Sequence, residues 1–263
     1  MRAVRVVDLD RDHSAVFPVG MDPDSEFLYD RMREATYDAL RVSPGQRVVD
    51  SAAGLGHDAQ NLAERGLRVT NVEPSRSMSE LAGMVADRQQ WKDWGDQVTR
   101  ARAWSEAMPF RDGAFDAAFC KGSIDHFDDP LAAIAEMARV TRPGGRVVVA
   151  VANFESLGCR WLHLRDRLRG RLGGGVRATR KHYHVPSDHF TRFDLPLIRE
   201  QLGRYVEIEE VTGVSAFWGL PRWAVLLKRA PAPVARLLLR GADALARLRP
   251  GLADIVVLAG PPR

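Results

Sequence analysis

The segment from Val48 to Gly56 combines an apolar run, a carboxylate and a loop of small residues. Gly54 and Gly56 allow the backbone to approach a ligand closely, as the first strand-to-helix turn of an open parallel sheet requires. Asp50 offers a carboxylate to a ligand ammonium, whereas it would repel a dinucleotide pyrophosphate. Glu73 follows 23 residues later and can accept hydrogen bonds from both hydroxyls of a ribose. A glycine turn alone also occurs as a plain structural turn. The prediction of a ligand site therefore depends on the glycine loop, Asp50 and Glu73 occurring together.

Alternating strands and helices are needed to position these side chains. Asp22 before Pro23 predicts a helix cap, and the apolar spacing that follows predicts an N-terminal helix over residues 22–43. Residues 47–153 alternate between strand and helix patterns, which predicts the core of one α/β domain over residues 1–263 with a doubly wound, mostly parallel sheet. The predicted strands are Arg47–Asp50, Leu67–Val72, Ala114–Cys120, Val147–Val151, Arg204–Val211 and Ile255–Ala259, and the helices are His57–Arg65, Pro130–Val140 and one that opens at Ser75.

Four consecutive motifs resemble those of class I S-adenosylmethionine-dependent methyltransferases, in particular the quinone-biosynthesis-like (type 11) subgroup. They are VVDSAAGLGHDAQNLAERG, NVEPSRSM, EAMPFRDGAFDAAF and DHFDDPLAAIAEMARVTRPGGRVVVAVAN, and together they cover about Val48 to Asn153. The resemblance implies a Rossmann-like methyltransferase fold with a seven-stranded sheet. It also implies S-adenosyl-L-methionine as cofactor and methyl transfer to a small-molecule acceptor.

The resemblance implies a role for each residue that matches a motif. It places Asp50 near the methionine amino group, Glu73 on the ribose and Pro74 beside the adenine. The loop beneath the cofactor would consist of three small residues, Ala52, Gly54 and Gly56.

The chain departs from the family pattern on the adenine side. The family often has an acid at the position that Trp104 occupies, next to Ser105. The adenine would then be held by stacking and backbone bonds, or by Glu106 turned inward. Trp104 as an ordinary core aromatic remains an alternative.

Residues after the strand Ala114–Cys120 are candidates for the acceptor side. His126 is a candidate general base, because imidazole is largely neutral and basic at physiological pH. A histidine that only forms a wall of the pocket is the alternative. Lys121 would reach the methionine carboxylate or a substrate anion, or else point into solvent.

A cluster of histidines follows the predicted core. His182, His184 and His189 have neither cysteine nor a familiar ligand spacing beside them, so we expect no metal site. A structural role is one interpretation. In the other, this stretch covers the acceptor pocket, and His184 or His189 contacts the substrate as a catalytic residue.

Residues 156–192 and 230–250 form two insertions, each with an amphipathic helix that has a basic face. Apolar stripes at helical spacing are predicted on Leu157, Trp161, Leu164, Leu168 and Leu172, and on Val234, Leu237, Leu238, Leu245 and Leu248. They predict core packing or a lid over an apolar, lipid-like acceptor, with residues 173–175 as a glycine hinge. Peripheral contact with an anionic membrane is the alternative.

Composition and charge exclude several other classes of protein. The chain is 45% hydrophobic and 27% charged, which is ordinary globular usage. Two cysteines without a ligand spacing favour a reducing compartment, and no apolar run approaches the ~20 residues of a membrane span. A net charge of +4 and the absence of an aromatic platform motif argue against nucleic acid. We therefore expect a cytoplasmic protein, while its oligomeric state stays open.

We expect a hydroxyl as the methylated group, with C- or N-methylation as the alternative. Two other functions compete with methyl transfer itself. One is a cofactor-binding protein of the same fold without turnover, which the altered position of Trp104 leaves open. The other is a nicotinamide-dependent oxidoreductase. That class favours a third glycine where this chain has Ala59, although some of its members have alanine there.

Overall fold

A computed structural model describes residues 22–88, 90–171 and 190–263 of the chain. These residues form one seven-stranded sheet with the order β3-β2-β1-β4-β5-β7-β6. Neighbouring strands are parallel except at β7, which runs antiparallel to both β5 and β6. The strands are β1 Arg47–Ser51, β2 Arg68–Val72, β3 Val98–Ala101, β4 Phe115–Lys121, β5 Thr141–Ala152, β6 Glu210–Val214 and β7 Ile255–Gly260, and the helices are α1 Pro23–Leu40, α2 His57–Glu64, α3 Arg76–Arg88, α4 Pro130–Val140, α5 Leu157–Arg171, α6 Leu195–Gly203, α7 Pro221–Arg229 and α8 Ala232–Leu248.

Helices cover both faces of the sheet, which confirms the predicted α/β, doubly wound, mostly parallel fold. Successive residues of β1 point to opposite faces, so Val48 and Val49 belong to different cores. Val48 packs in the core that includes Leu28 of α1, whereas Val49 packs in the core that includes Ile134 of α4. Burial on both faces explains why the central strands are almost continuously apolar.

Three helices begin where the sequence supplies a capping aspartate followed by a proline in the first turn. Asp22, Asp129 and Asp194 each accept a hydrogen bond of 2.9 Å from the amide three residues later. The predicted N-terminal helix is thereby confirmed as α1. It ends earlier than residue 43 because Arg41 adopts a left-handed conformation.

The predicted strand Arg204–Val211 is wrong over most of its length, since β6 begins only at Glu210. Glu207 and Glu209 still donate amide hydrogen bonds, to the carbonyls of Pro261 and Ala259. Pro261 and Pro262 have no amide hydrogen to return the second bond of a pair, which explains why regular pairing starts later. The edge strand β3 was not identified individually from the sequence.

The two insertion helices exist, but their predicted apolar stripes are largely exposed. Trp161 of α5 is 60% exposed, and Leu237 of α8 is 71% exposed. Helix α8 buries a different stripe of smaller residues, which packs against β6. The two elements approach closely at Gly213, where an added Cβ would lie 2.2 Å from the carbonyl oxygen of Ala246. Among the described helices, none combines the length and the apolar character that crossing a membrane requires.

Candidate functional site

The loop after β1 has the backbone that the sequence predicted. Ala52, Gly54 and Gly56 have φ values of +60°, +53° and +79°. A Cβ at Gly56 would also lie 2.9 Å from the side-chain nitrogen of Asn71. This position therefore requires glycine for two reasons, its positive φ and this close contact. Ala52 is a non-glycine residue in the left-handed region, a conformation that costs about 1–3 kcal/mol and is concentrated at functional sites.

The carboxylate of Glu73 is fixed at the end of β2 by two backbone amides. Its oxygens accept hydrogen bonds of 2.9 Å from Gly54 and Ser75. Each carboxylate oxygen has a second lone pair, so the capacity to accept ligand hydroxyls remains. Glu73 lines a cavity of about 340 Å³ beside β2, β3 and α3, a volume within the usual range for small-molecule sites.

Asp50 lies at the carboxyl end of β1 and is only 2% exposed. One of its oxygens, Oδ2, is buried and has no hydrogen-bond partner among the described residues. Burial raises the pKa of Asp50 well above its usual range, and the nearby charge of Asp58 raises it further. A bound cation would therefore stabilise the ionised form of this carboxyl group.

Lys121 is bound by Asp58, a residue that sequence reasoning missed. The Nζ atom of Lys121 lies 3.0 Å from Asp58, whose other oxygen accepts a 2.5 Å hydrogen bond from the hydroxyl of Tyr37. Lys121 also opposes the raised pKa of Asp50. The sequence offered one signal for Asp58, because it is an acid in the first turn of the helix after the glycine loop. A helix N-terminus favours negative charge.

The segment with Trp104, Ser105 and Glu106 lies next to the end of β1. Ser105 is buried, and its hydroxyl lies 2.8 Å from that of Ser51. Trp104 and Glu106 are half-buried. Ser105 thus joins this segment to β1, while the predicted contacts of these three residues and of Pro74 with an adenine remain predictions.

Ser123, in the segment that follows β4, lies beside the loop that follows β1. The Ser123 hydroxyl is 3.5 Å from the carbonyl oxygen of Ala52, and His126 ends the short 3-10 helix Ile124–His126. His126 is half-buried. The catalytic candidates His184 and His189 lie outside the described residues. In the described ranges, no three His, Cys, Asp or Glu side chains are grouped so that they could hold a metal ion.

Comparisons with known proteins relate part of the chain to methyltransferases. Residues 49–149 match a family described as a methyltransferase domain. A demethylmenaquinone methyltransferase from Beutenbergia cavernae is 38% identical over 118 residues, covering 45% of this chain and 45% of the relative. Methyltransferase GfsG from Streptomyces halstedii is 36% identical over 134 residues, covering 51% of this chain and 47% of the relative. The chain thus spans just under half the length of these curated relatives.

A solved structure shares the fold over a larger part of the chain. The [4+2]-cyclase SpnF superimposes with a TM-score of 0.56 and 19% identity, covering 88% of this chain and 80% of that one. At this identity the likeness shows the fold alone, and the cyclase shows that the fold does not specify the reaction. The family match and the curated relatives confirm the predicted resemblance to class I methyltransferases of the type 11 group.

Proposed function

We propose that this chain, whose residues 49–149 match the methyltransferase domain family, transfers a methyl group from S-adenosylmethionine to a hydroxyl of a small, apolar acceptor. The observation that carries the proposal is the buried Oδ2 atom of Asp50, for which no described residue supplies a hydrogen bond. A buried carboxylate without a partner is costly, so the site favours a ligand with a cationic donor. The amino group of a methionine moiety is such a donor.

The residues at the ends of β1 and β2 fit this cofactor. Asp50 would hold the amino group, and Glu73, already oriented by two amides, would accept the ribose hydroxyls. The loop of Ala52, Gly54 and Gly56 has no long side chain to obstruct the ligand. When bound, S-adenosylmethionine supplies an electrophilic methyl group on a positively charged sulfur.

The acceptor would bind next to His126, beyond the carboxyl end of β4. His126 would take the proton of the acceptor hydroxyl at an imidazole nitrogen, and the cofactor would supply the methyl group to that oxygen and leave as the neutral thioether S-adenosylhomocysteine. Lys121 acts through Asp58 and Asp50 rather than by contact with the acceptor, because its ammonium is already ion-paired. The close contact between Ser123 and Ala52 supports an arrangement in which the acceptor lies next to the cofactor loop.

The proposal of an apolar acceptor rests on two lines of support. The name of the relative from Beutenbergia cavernae describes a methylation of demethylmenaquinone. In addition, two apolar rings meet beyond the carboxyl end of β6, where Phe217 of the following loop lies 5.5 Å from Trp223 of α7, measured between ring centroids. Residues 156–192, with His184 and His189, are proposed to cover this side when the acceptor binds.

Calorimetry with S-adenosylhomocysteine tests the cofactor site. Glu73→Gln should weaken binding at least about tenfold, because it removes charge-assisted hydrogen bonds to the ribose that are worth about 1.5–3 kcal/mol. Asp50→Asn should weaken it for the same reason at the amino group. Glu64→Gln and Asp87→Asn are matched controls, since they make the same charge changes at exposed positions of α2 and α3.

Methyl transfer itself is measured with labelled S-adenosylmethionine and a panel of phenols, quinols and other lipid-soluble hydroxyl compounds. Binding of S-adenosylhomocysteine without transfer to any compound in this panel or in a cell extract would favour the cofactor-binding protein without turnover. Binding of NADH in preference to S-adenosylhomocysteine would contradict the proposal altogether.

A further inference from the structure

The region from residue 216 to residue 253, which contains α7 and α8, has an unusual distribution of charge. It contains seven basic residues and a single acid, Asp243. Asp243 is 2% exposed and is ion-paired with Arg31 at 3.2 Å and with Arg247 at 3.4 Å. The exposed charge of this region is therefore entirely positive, carried by Arg222, Lys228, Arg229, Arg236, Arg240, Arg247 and Arg249.

Helix α8 has two apolar stripes on opposite sides. The buried stripe packs against β6 and α7 and consists of Ala235, Leu239, Ala242 and Ala246. The second stripe repeats every three or four residues and points to solvent. At about 100° per residue its centre lies roughly opposite the buried one. Its members are Val234, Leu237, Gly241, Ala244 and Leu248, all of which are exposed.

Arginines flank this exposed stripe along one side. Arg236, Arg240 and Arg247 lie on the side between the exposed and the buried stripe, and the buried Asp243 occupies the turn between Arg240 and Arg247. Helix α7, which contacts α8, also exposes Val225 and Leu226, with Arg222 and Arg229 on that same face of α7. Arginine stems can lie along apolar surface while their guanidinium groups reach phosphates, which is the pattern of a helix lying in a lipid interface.

We propose that this surface, the exposed stripe of α8 with Val225, Leu226 and the flanking arginines, docks on an anionic lipid bilayer. Charge complementarity favours this partner, because residues 216–253 expose only cations beside their apolar side chains. A second copy of the chain fits less well, since its identical surface would bring arginine against arginine with no exposed acid from residues 216–253 to pair with them. The stripe also lacks the aromatic platform on which nucleic-acid bases stack.

Docking involves no residue of the proposed cofactor site. The docking proposal is therefore independent of the proposed function, and its test does not depend on methyl transfer. The test is sedimentation of the full chain with vesicles of phosphatidylcholine alone and of phosphatidylcholine mixed with phosphatidylglycerol. We expect binding to the anionic vesicles only, weakened by salt.

Two double variants examine the two components of the surface. Arg236→Gln with Arg240→Gln should weaken vesicle binding by at least about tenfold, because each basic residue near an anionic surface contributes substantially to binding. Leu237→Asn with Leu248→Asn should weaken it through loss of apolar burial. Arg68→Gln with Arg111→Gln is the matched control, because it removes two exposed cations elsewhere. Unchanged thermal melting and S-adenosylhomocysteine binding confirm that each variant is folded.

Three outcomes would overturn the proposal. Equal binding to neutral vesicles, or no binding, would exclude recognition of anionic lipid. An equally large loss in the Arg68 and Arg111 control would reduce the effect to overall charge. A dimer in light scattering that dissociates in the Leu237 and Leu248 variant would assign the surface to a second copy of the chain.

Discussion

At the scale of single residues, the buried carboxyl group of Asp50 favours ligand binding but lowers the stability of the ligand-free chain. Its pKa is raised in the folded chain, so the folded state holds the proton more tightly than the unfolded state does. The resulting stability is fully present below the unfolded value of 3.8 and is lost as pH rises through the raised pKa. Near neutral pH the ionised carboxylate therefore destabilises the chain unless a cationic ligand is bound.

We predict that Asp50→Asn raises the melting temperature of the ligand-free protein at neutral pH and weakens S-adenosylhomocysteine binding. Each kcal/mol of relieved penalty should add about 2–4 °C for a chain of this size. Thermal melts between acidic and neutral pH measure the effect, which should disappear toward pH 4. A lower melting temperature of the variant at neutral pH would contradict a destabilising role of the ionised Asp50 carboxylate.

Lys121→Met should shift the pH dependence of cofactor binding. Without its ammonium, the charges of Asp50 and Asp58 repel each other unscreened, so the pKa of Asp50 rises further. Binding of S-adenosylhomocysteine, which needs the ionised carboxylate, should then require a higher pH. Calorimetry across pH measures this, and Asp58→Asn should produce the opposite shift. A parallel loss of affinity at every pH would instead favour direct contact between Lys121 and the ligand.

His126→Ala should lower turnover by about 10²–10⁴-fold while cofactor affinity stays nearly constant, because the variant removes the proposed base and leaves the cofactor loop intact. Single-turnover methyl transfer and calorimetry on the same sample measure the two quantities. Equal losses of turnover and thermal stability would support the alternative, in which His126 only forms a wall of the pocket.

At the scale of elements, the docking of α8 on β6 depends on a glycine. Gly213→Ala should destabilise the chain by several kcal/mol, because the new Cβ would lie 2.2 Å from a backbone oxygen that cannot move alone. Gly241→Ala is the control, since Gly241 lies in α8 and an added Cβ there would meet nothing within 4 Å. It should stabilise the helix by about 0.5–1 kcal/mol. Denaturant unfolding measures both, and a neutral Gly213→Ala would contradict the close approach.

At the scale of the whole molecule, buried acids join elements that are distant in the sequence. Asp24 of α1 accepts a hydrogen bond of 3.1 Å from Trp223 of α7, and Asp254 before β7 accepts one of 2.9 Å from the amide of Trp218. Burial raises the pKa of Asp24 to about 6 and that of Asp254 to about 7. Both groups therefore favour folding most when protonated.

The free energy of unfolding should decrease as pH rises from about 4 to about 7, because Asp24 and Asp254 ionise near 3.8 in the unfolded chain but only at about 6 and about 7 in the folded chain. Denaturant unfolding across this range measures the decrease, and Asp254→Asn should flatten its upper part. The lowered pKa values of Asp116 and Glu136 act in the other direction, so stability also falls in strong acid. A profile that rises steadily to pH 8 would contradict these assignments.

The sequence alone determined the α/β order and the loop after β1, because strand endings, glycine turns and helix caps are local signals. Tertiary structure decided which side chains surround Asp50, since Tyr37, Asp58 and Lys121 come from three separate elements. It also decided which stripe of α8 is buried. Apolar residues occupy two sides of that helix, and only the close approach at Gly213 selects the side with the small residues. Packing of this kind depends on the shape of the partner surface, which one segment of sequence does not contain.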